Sequence, residues 1–117
     1  MDIKIIIAGS RNFNDYPLLK TTLDTIIGDR INIEIVSGNA RGADALGEKY
    51  AAENNIKIQK FIPDWENLGK SAGFVRNKEM AIYSNVLIAF WDQKSLGTAH
   101  MIQLAKKYKL KTRVICY

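Results

Sequence analysis

The sequence predicts an α/β protein: a single Rossmann-like three-layer α/β/α domain on a five-stranded parallel sheet of order 3-2-1-4-5. Three observations predict it. Short apolar runs alternate with amphipathic stretches to give βαβαβαβαβ, the pattern of a parallel sheet covered by helices on both sides. Two runs, Ile5-Ile6-Ile7 and Val86 to Trp91, are continuously apolar, as strands buried on both faces are. A third run, with Ile56, Ile58 and Ile62, alternates with polar residues as a half-exposed edge strand does. Central first and fourth strands with a peripheral third give that order, and its switch point lies between strands one and four.

Taken in chain order, Ile3–Ala8 reads as the first strand. Tyr16–Ile27 reads as a helix with Asp15 as N-cap and Pro17 in its first turn. Ile31–Ser37 is a second strand. Gly42–Asn54 is a helix, with Ala43, Leu46, Tyr50 and Ala51 on one face. Ile56–Ile62 is the third strand, and a polar loop follows it. A helix is expected near Ala72–Tyr83, and the fourth strand over Asn85–Trp91. Gly97–Tyr108 is the last helix, with Thr98, Met101, Ile102 and Ala105 on one face. Lys111–Cys116 closes as the fifth strand.

The 117 residues fit one domain over 1–117, with 47% hydrophobic and 25% charged residues as in a chain that buries one core. No segment reaches the ~18 consecutive apolar residues of a membrane span. The N-terminal run is short, interrupted by an acid and a lysine, and lacks a cleavage site, so it is read as a strand and not as a signal peptide. A cytoplasmic location is expected by elimination. One cysteine and one histidine exclude an internal disulfide and a thiolate or imidazole cluster, so neither a metal nor a cofactor is expected. Cys116 reads as a small buried packing residue and His100 as an exposed helix residue. The net charge of +5 favours anionic partners without choosing among them. Its densest run, Lys106, Lys107, Lys109 and Lys111, falls at a helix end, where cations complement the dipole.

The unusual residues follow strand ends, which form one rim in a parallel sheet. Gly9, Ser10 and Arg11 follow the first strand; Ser37, Gly38, Arg41, Gly42 and Asp44 follow the second. Pro63, Asp64 and Trp65 follow the third, ahead of Arg76 and Asn77. Asp92, Ser95, Gly97 and Thr98 follow the fourth. Glycines let the backbone approach oxygens, and hydroxyls on Ser10, Ser37, Ser95 and Thr98 can donate. Gly42 and Gly97 stand at helix starts, where free amides attract anions. Arg11, Arg41 and Arg76 can each grip phosphate with two parallel hydrogen bonds. Trp65, in a loop, can stack a base, whereas Trp91 ends a buried strand and reads as core. Neither G-x-G-x-x-G nor G-x-x-x-x-G-K-[ST] occurs, which argues against a nicotinamide-dependent dehydrogenase and a P-loop NTPase.

With A-G-S-R-x-F (Ala8–Phe13), S-G-x-A-R-G-A-D (Ser37–Asp44), P-D-W (Pro63–Trp65), A-G-x-x-R-N-x-x-M (Ala72–Met80) and S-x-G-T (Ser95–Thr98), nearly the whole chain resembles the SLOG superfamily, in the branch related to YspA and YpsA. The resemblance implies a Rossmannoid fold that binds nucleotides or nucleotide-derived signals. The superfamily also holds the Lonely Guy phosphoribohydrolases, whose R-x-x-x-M is matched by Arg76 and Met80 and whose P-G-G-x-G-T-x-E is matched only at Gly97-Thr98. The place of its catalytic glutamate falls on His100, which cannot stabilise an oxocarbenium-like centre as a carboxylate does.

The leading expectation is a module that senses, carries or sequesters a nucleotide or nucleotide derivative. Gly9, Ser10, Arg11, Ser37, Gly38, Arg41, Gly42, Trp65, Arg76, Asn77, Ser95, Gly97 and Thr98 would form its site. The rival is a hydrolase of an N-glycosidic or phosphoester bond, with Asp44 or Asp92 as carboxylate and Arg76 assisting. A third reading, by likeness to the superfamily's DNA-processing protein DprA, is single-stranded DNA binding, with affinity falling as salt rises. Apolar residues on two sides of the Arg76 helix (Phe74, Val75, Met80, Ala81, Ile82, Tyr83) call for a second neighbour, so a homo-oligomer is expected.

Overall fold

The computed structural model describes residues 2–117. Five parallel strands form one sheet in the order β3-β2-β1-β4-β5: β1 (Ile3–Gly9), β2 (Ile33–Ser37), β3 (Lys57–Lys60), β4 (Val86–Trp91) and β5 (Lys111–Cys116). Five α-helices connect them: α1 (Tyr16–Ile27), α2 (Ala43–Glu53), α3 (Trp65–Leu68), α4 (Ala72–Tyr83) and α5 (Leu96–Lys107), with a 3-10 turn over Gly69–Ser71. The Rossmann-like three-layer fold and the strand order are those the apolar patterns predict.

Alternation along the central strands splits the core in two. Ile5, Ile7, Ile35, Ile88 and Phe90 face α1 and α2, meeting Leu19, Leu23, Ala43 and Tyr50. Ile6, Ala8, Val36, Leu87 and Ala89 face the other way, against Met80 and Ala81 of α4 and Met101, Ile102 and Ala105 of α5. Each fully buried Leu or Ile contributes roughly 1.5–3 kcal/mol. The expected inward faces of α2 and α5 are therefore the packed ones.

Capping follows the sequence closely. The Asp15 carboxylate accepts from the Leu18 N–H at 3.1 Å, with Pro17 in the first turn. Ser95 caps α5 through its Oγ, which accepts from the Thr98 N–H at 3.3 Å. Lys106 and Lys107 occupy the last turn of α5, as the dipole favours.

Several boundaries differ. β2 begins at Ile33 because Ile31 lies in the preceding loop, 89% exposed. β3 is four residues long; Ile56 and Ile62 flank it, and Pro63 has no N–H to extend the ladder. The polar loop after β3 holds α3, started by Asp64, whose side chain accepts from the Asn67 N–H at 3.2 Å. Cys116 is exposed, at the last position of the edge strand β5. His100 is half-buried, its ring 4.5 Å from that of Phe74 in an edge-on contact that covers part of the outer face of α4. Val75 and Ile82 on that helix remain exposed.

Two carboxylates, Glu34 and Asp44, are buried. Glu34 on β2, 1% exposed, sits in register between Lys4 and Lys57 on the flanking strands. It accepts from the Tyr83 hydroxyl and lies 3.3 Å from Lys57 Nζ, while Lys4 Nζ stands 3.9 Å over the Tyr83 ring. These partners replace the water the buried charge has lost. No helix among the described residues is long and apolar enough to cross a membrane.

Candidate functional site

Loops at the carboxyl ends of β1, β2 and β3 and the first half of α4 enclose a cleft of about 170 Å³. Arg11, Asn39, Ala40, Arg41, Pro63, Trp65 and Arg76 line it. Three arginines and a tryptophan 50% exposed thus meet in one place, although 65 residues of chain separate Arg11 from Arg76.

Close backbone contacts bring these loops together. Gly42, at φ +76, lies so near the first loop that a Cβ there would stand 2.3 Å from the Ser10 carbonyl oxygen and 2.7 Å from that of Arg11. Only glycine combines that dihedral with that approach. A Cβ on Gly9 would likewise stand 2.3 Å from the Phe90 carbonyl oxygen and 2.7 Å from the Ala43 Cβ. Both glycines are therefore required by packing, whatever they offer a ligand. Asn39 takes the left-handed conformation at φ 62, which asparagine tolerates better than most residues.

Arg76 is held from both sides. Its Nη1 donates to the Gly38 carbonyl, and its Nε donates to Oδ1 of the buried Asn77 at 3.0 Å. The Asn77 amide donates in turn to the Gly97 carbonyl at 3.3 Å and meets His100 Nδ1 at 3.2 Å. That contact requires a neutral imidazole with its proton on Nε2, consistent with burial drawing the His100 pKa down. Burial also draws the Arg76 pKa down, with Asp44 opposing and Arg11 reinforcing the shift.

Asp44, in the first turn of α2, is buried. Burial raises its pKa to about 6, against the pull of Arg76 and of hydrogen bonds from backbone amides, one from Ala40 at 3.4 Å. Asp92 differs. Its carboxylate accepts from the N–H groups of Lys94 at 2.9 Å and Ser95 at 2.8 Å, and these lower its pKa. Asp92 thus shapes the turn into α5.

The remaining residues expected at the site divide. The Ser37 hydroxyl, fully buried, donates to Glu48 at 2.6 Å, and Glu48 also pairs with Lys60 at 3.2 Å. Ser10 is buried, and its Oγ accepts from the Asp92 N–H at 3.2 Å, tying the first and fourth loops. Ser95 and Thr98 share a 3.0 Å hydroxyl contact at the start of α5, and Gly97 there has open space around it. Ser95, Gly97 and Thr98 do not line the three-arginine cleft; Gly97 is tied to Arg76 through Asn77. Asn39, Ala40 and Pro63 also line the cleft although they are not among the expected site residues; Pro63 and Ala40 stand in the motifs that flank those residues, and Asn39 belongs to the Ser-Gly-Asn turn.

Comparison with known proteins agrees with this fold. The Gene 61 protein of Mycobacterium phage D29 is 32% identical over 115 residues, covering 89% of each chain. Among solved structures, DNA processing protein A (DprA) from Streptococcus pneumoniae matches with a TM-score of 0.79 at 17% identity over 97% of this chain. A Helicobacter pylori DprA structure, described by its single-stranded DNA binding mode, matches at 0.67 and 23% identity over 96% of this chain. The chain spans 50% and 64% of those two proteins, and at such identities the likeness shows the fold. The model of the YspA, cpYpsA-related SLOG family (YAcAr) matches residues 3–68, more than half of the sequence. The chain belongs to the YspA, cpYpsA-related SLOG family.

Proposed function

We propose that the cleft binds the phosphate of a nucleotide or nucleotide derivative, with Trp65 stacking against the base. The observation that carries this reading is the meeting of Arg11, Arg41 and Arg76 beside the half-exposed Trp65. Arg76 is held in place by Gly38 and Asn77, whereas Arg11 and Arg41 are exposed and free to close on an anion. At about 170 Å³ the cleft is smaller than the roughly 300–1,000 Å³ of sites that enclose a whole small molecule. It suits one phosphate and one base face, and the rest of the ligand projects outward.

That openness favours a second reading, in which the nucleotide unit belongs to single-stranded DNA. The fold shared with the DprA structures and the net charge of +5 support it. Asp44, with its raised pKa beside Arg76, is the carboxylate to which any bond cleavage would fall.

The test is a thermal-shift titration of the protein and its Arg11→Ala and Arg41→Ala variants. The ligands are mononucleotides, dinucleotides, cyclic nucleotides, ADP-ribose derivatives and an oligothymidylate. A ligand at ~100 times its dissociation constant adds about 2.7 kcal/mol, several degrees for a domain this size. The expected result is a shift with a small nucleotide that either variant removes. A shift confined to the oligothymidylate, collapsing as salt rises, moves the reading to single-stranded DNA. Absence of any shift, or shifts indifferent to both substitutions, defeats the cleft as the binding site. Chromatography of the positive compounds then reads turnover.

A further inference from the structure

The helices leave part of the sheet uncovered. α2 packs over β1, β2 and β3, whereas the helix packed on β5 is α5, on the opposite face. A groove of about 630 Å³ therefore opens between the C-terminal end of α1 and the start of β5, at the end of the strands opposite the arginine cleft. Ile5, Val86 and Ile88 are among the residues of its apolar floor, and Arg30, Lys109, Lys111 and Arg113 surround it.

Two features set this groove apart from ordinary surface. None of the four cations lies within 4 Å of a carboxylate among the described residues. Helix ends account for two of them: Arg30 Nη1 donates to the carbonyls of Ile26 at 2.8 Å and Ile27 at 3.3 Å, and Lys109 follows α5. Lys111 and Arg113 lie on β5, where no helix dipole accounts for them. The second feature is Ser84, which lines the groove and is nine-tenths buried. Its Oγ is the one buried side-chain polar atom among the described residues with no hydrogen-bond partner. An orphaned buried hydroxyl costs roughly 1–3 kcal/mol, a cost a bound polar group would remove.

We infer that this groove is a second binding site, for an amphiphilic carboxylate: a small molecule with one anionic head and an apolar body. The volume lies within the range of small-molecule sites. The Lys111 N–H donates to the Asn85 carbonyl at 3.1 Å, which places a basic residue beside Ser84. An anionic head can pair with the exposed Lys111 and Arg113 at that end while its apolar body lies along the apolar floor.

Calorimetric titration with sodium octanoate tests the inference, with 1-octanol and octyltrimethylammonium as controls. Octanoate is expected to bind saturably, and both controls at least tenfold more weakly. The surface double variant K111E/R113E should lose at least tenfold in affinity. Ser84→Ala should lose a few-fold while leaving the unliganded protein no less stable. The R11A/R41A variant should bind octanoate unchanged, so that failure here and failure of the arginine cleft are separable. Absence of saturable octanoate binding, equal binding of octanol, or indifference to K111E/R113E overturns the inference.

Discussion

Across Gly38 the Asp44 carboxylate and the Arg76 guanidinium face one another, Oδ2 of one and Nη1 of the other each 2.8 Å from where a side chain on that glycine would begin. The opposed charges therefore share the space that a Gly38 side chain would fill. That gap exists because residue 38 has no side chain; Asp44 is buried beside it and Arg76 lines the cleft.

Gly38→Ala places a methyl group in that gap and must displace both side chains. A loss of about 1–3 kcal/mol of stability is expected, the usual scale for overpacking. Loss of ligand-induced stabilisation beyond that change would show that Arg76 has moved. Urea denaturation with and without ligand reads the two effects separately.

Asp44 also gives the protein a pH dependence of definite sign. Its pKa is raised from 3.8 to about 6 on folding, so between those values the folded state binds more protons than the unfolded one. Stability therefore falls as pH rises through that window and stays lowered above it. The contribution is on the order of 2–3 kcal/mol. Asp44→Asn, which keeps an acceptor for the Ala40 amide, should raise stability at pH 7.5 and change it little at pH 4. Equal effects at both pH values would rule out burial of a charged carboxylate as the cause.

Gly42 and Gly97 look alike in sequence, each opening a helix after a strand, yet their substitution should differ. Gly42→Ala meets two backbone carbonyls at 2.3–2.7 Å in a left-handed conformation, and should unfold the protein or cost several kcal/mol. Gly97→Ala meets nothing within 4 Å and should stabilise α5 by up to about 1 kcal/mol. Melting temperatures of the two variants make the comparison. If Gly97→Ala weakens nucleotide binding without loss of stability, the start of α5 belongs to the site.

Much of the architecture was legible because apolar periodicity reports which faces are buried. The unbroken runs of β1 and β4 gave the centre of the sheet, and the alternation near Ile58 gave an edge. The ends were harder, since Ile31 and Ile62 are apolar yet exposed, and hydrophobicity alone does not reveal a turn. At the site, residue type pointed to Arg11, Arg41, Arg76 and Trp65, which the fold brings together. It could not tell a hydroxyl open to a ligand from one already engaged. Ser37 and Glu48 are eleven residues apart, and only the pairing of a strand with the following helix makes them partners. Asn77 was singled out, but its hold on Arg76 was not readable, because it depends on how α4 meets the start of α5.

Tyr83→Phe should destabilise the protein by about 1–3 kcal/mol. It removes the hydroxyl that donates to buried Glu34 and leaves Lys57 to compensate the charge alone. Replacing Glu34 by Gln as well should recover part of that loss, because the uncompensated charge is then gone. Strict additivity in this double-mutant cycle would mean that the two groups do not interact.

The bond from the Asp92 amide to the Ser10 hydroxyl joins points 82 residues apart in the chain. Loop closure over that distance is slow, and β1 cannot meet β4 until the intervening chain has found its place. Contacts of such sequence separation are expected to form late in folding. A ligand held at the rim would leave the refolding rate almost unchanged and prolong the lifetime of the native state, acting as a clasp on a finished structure.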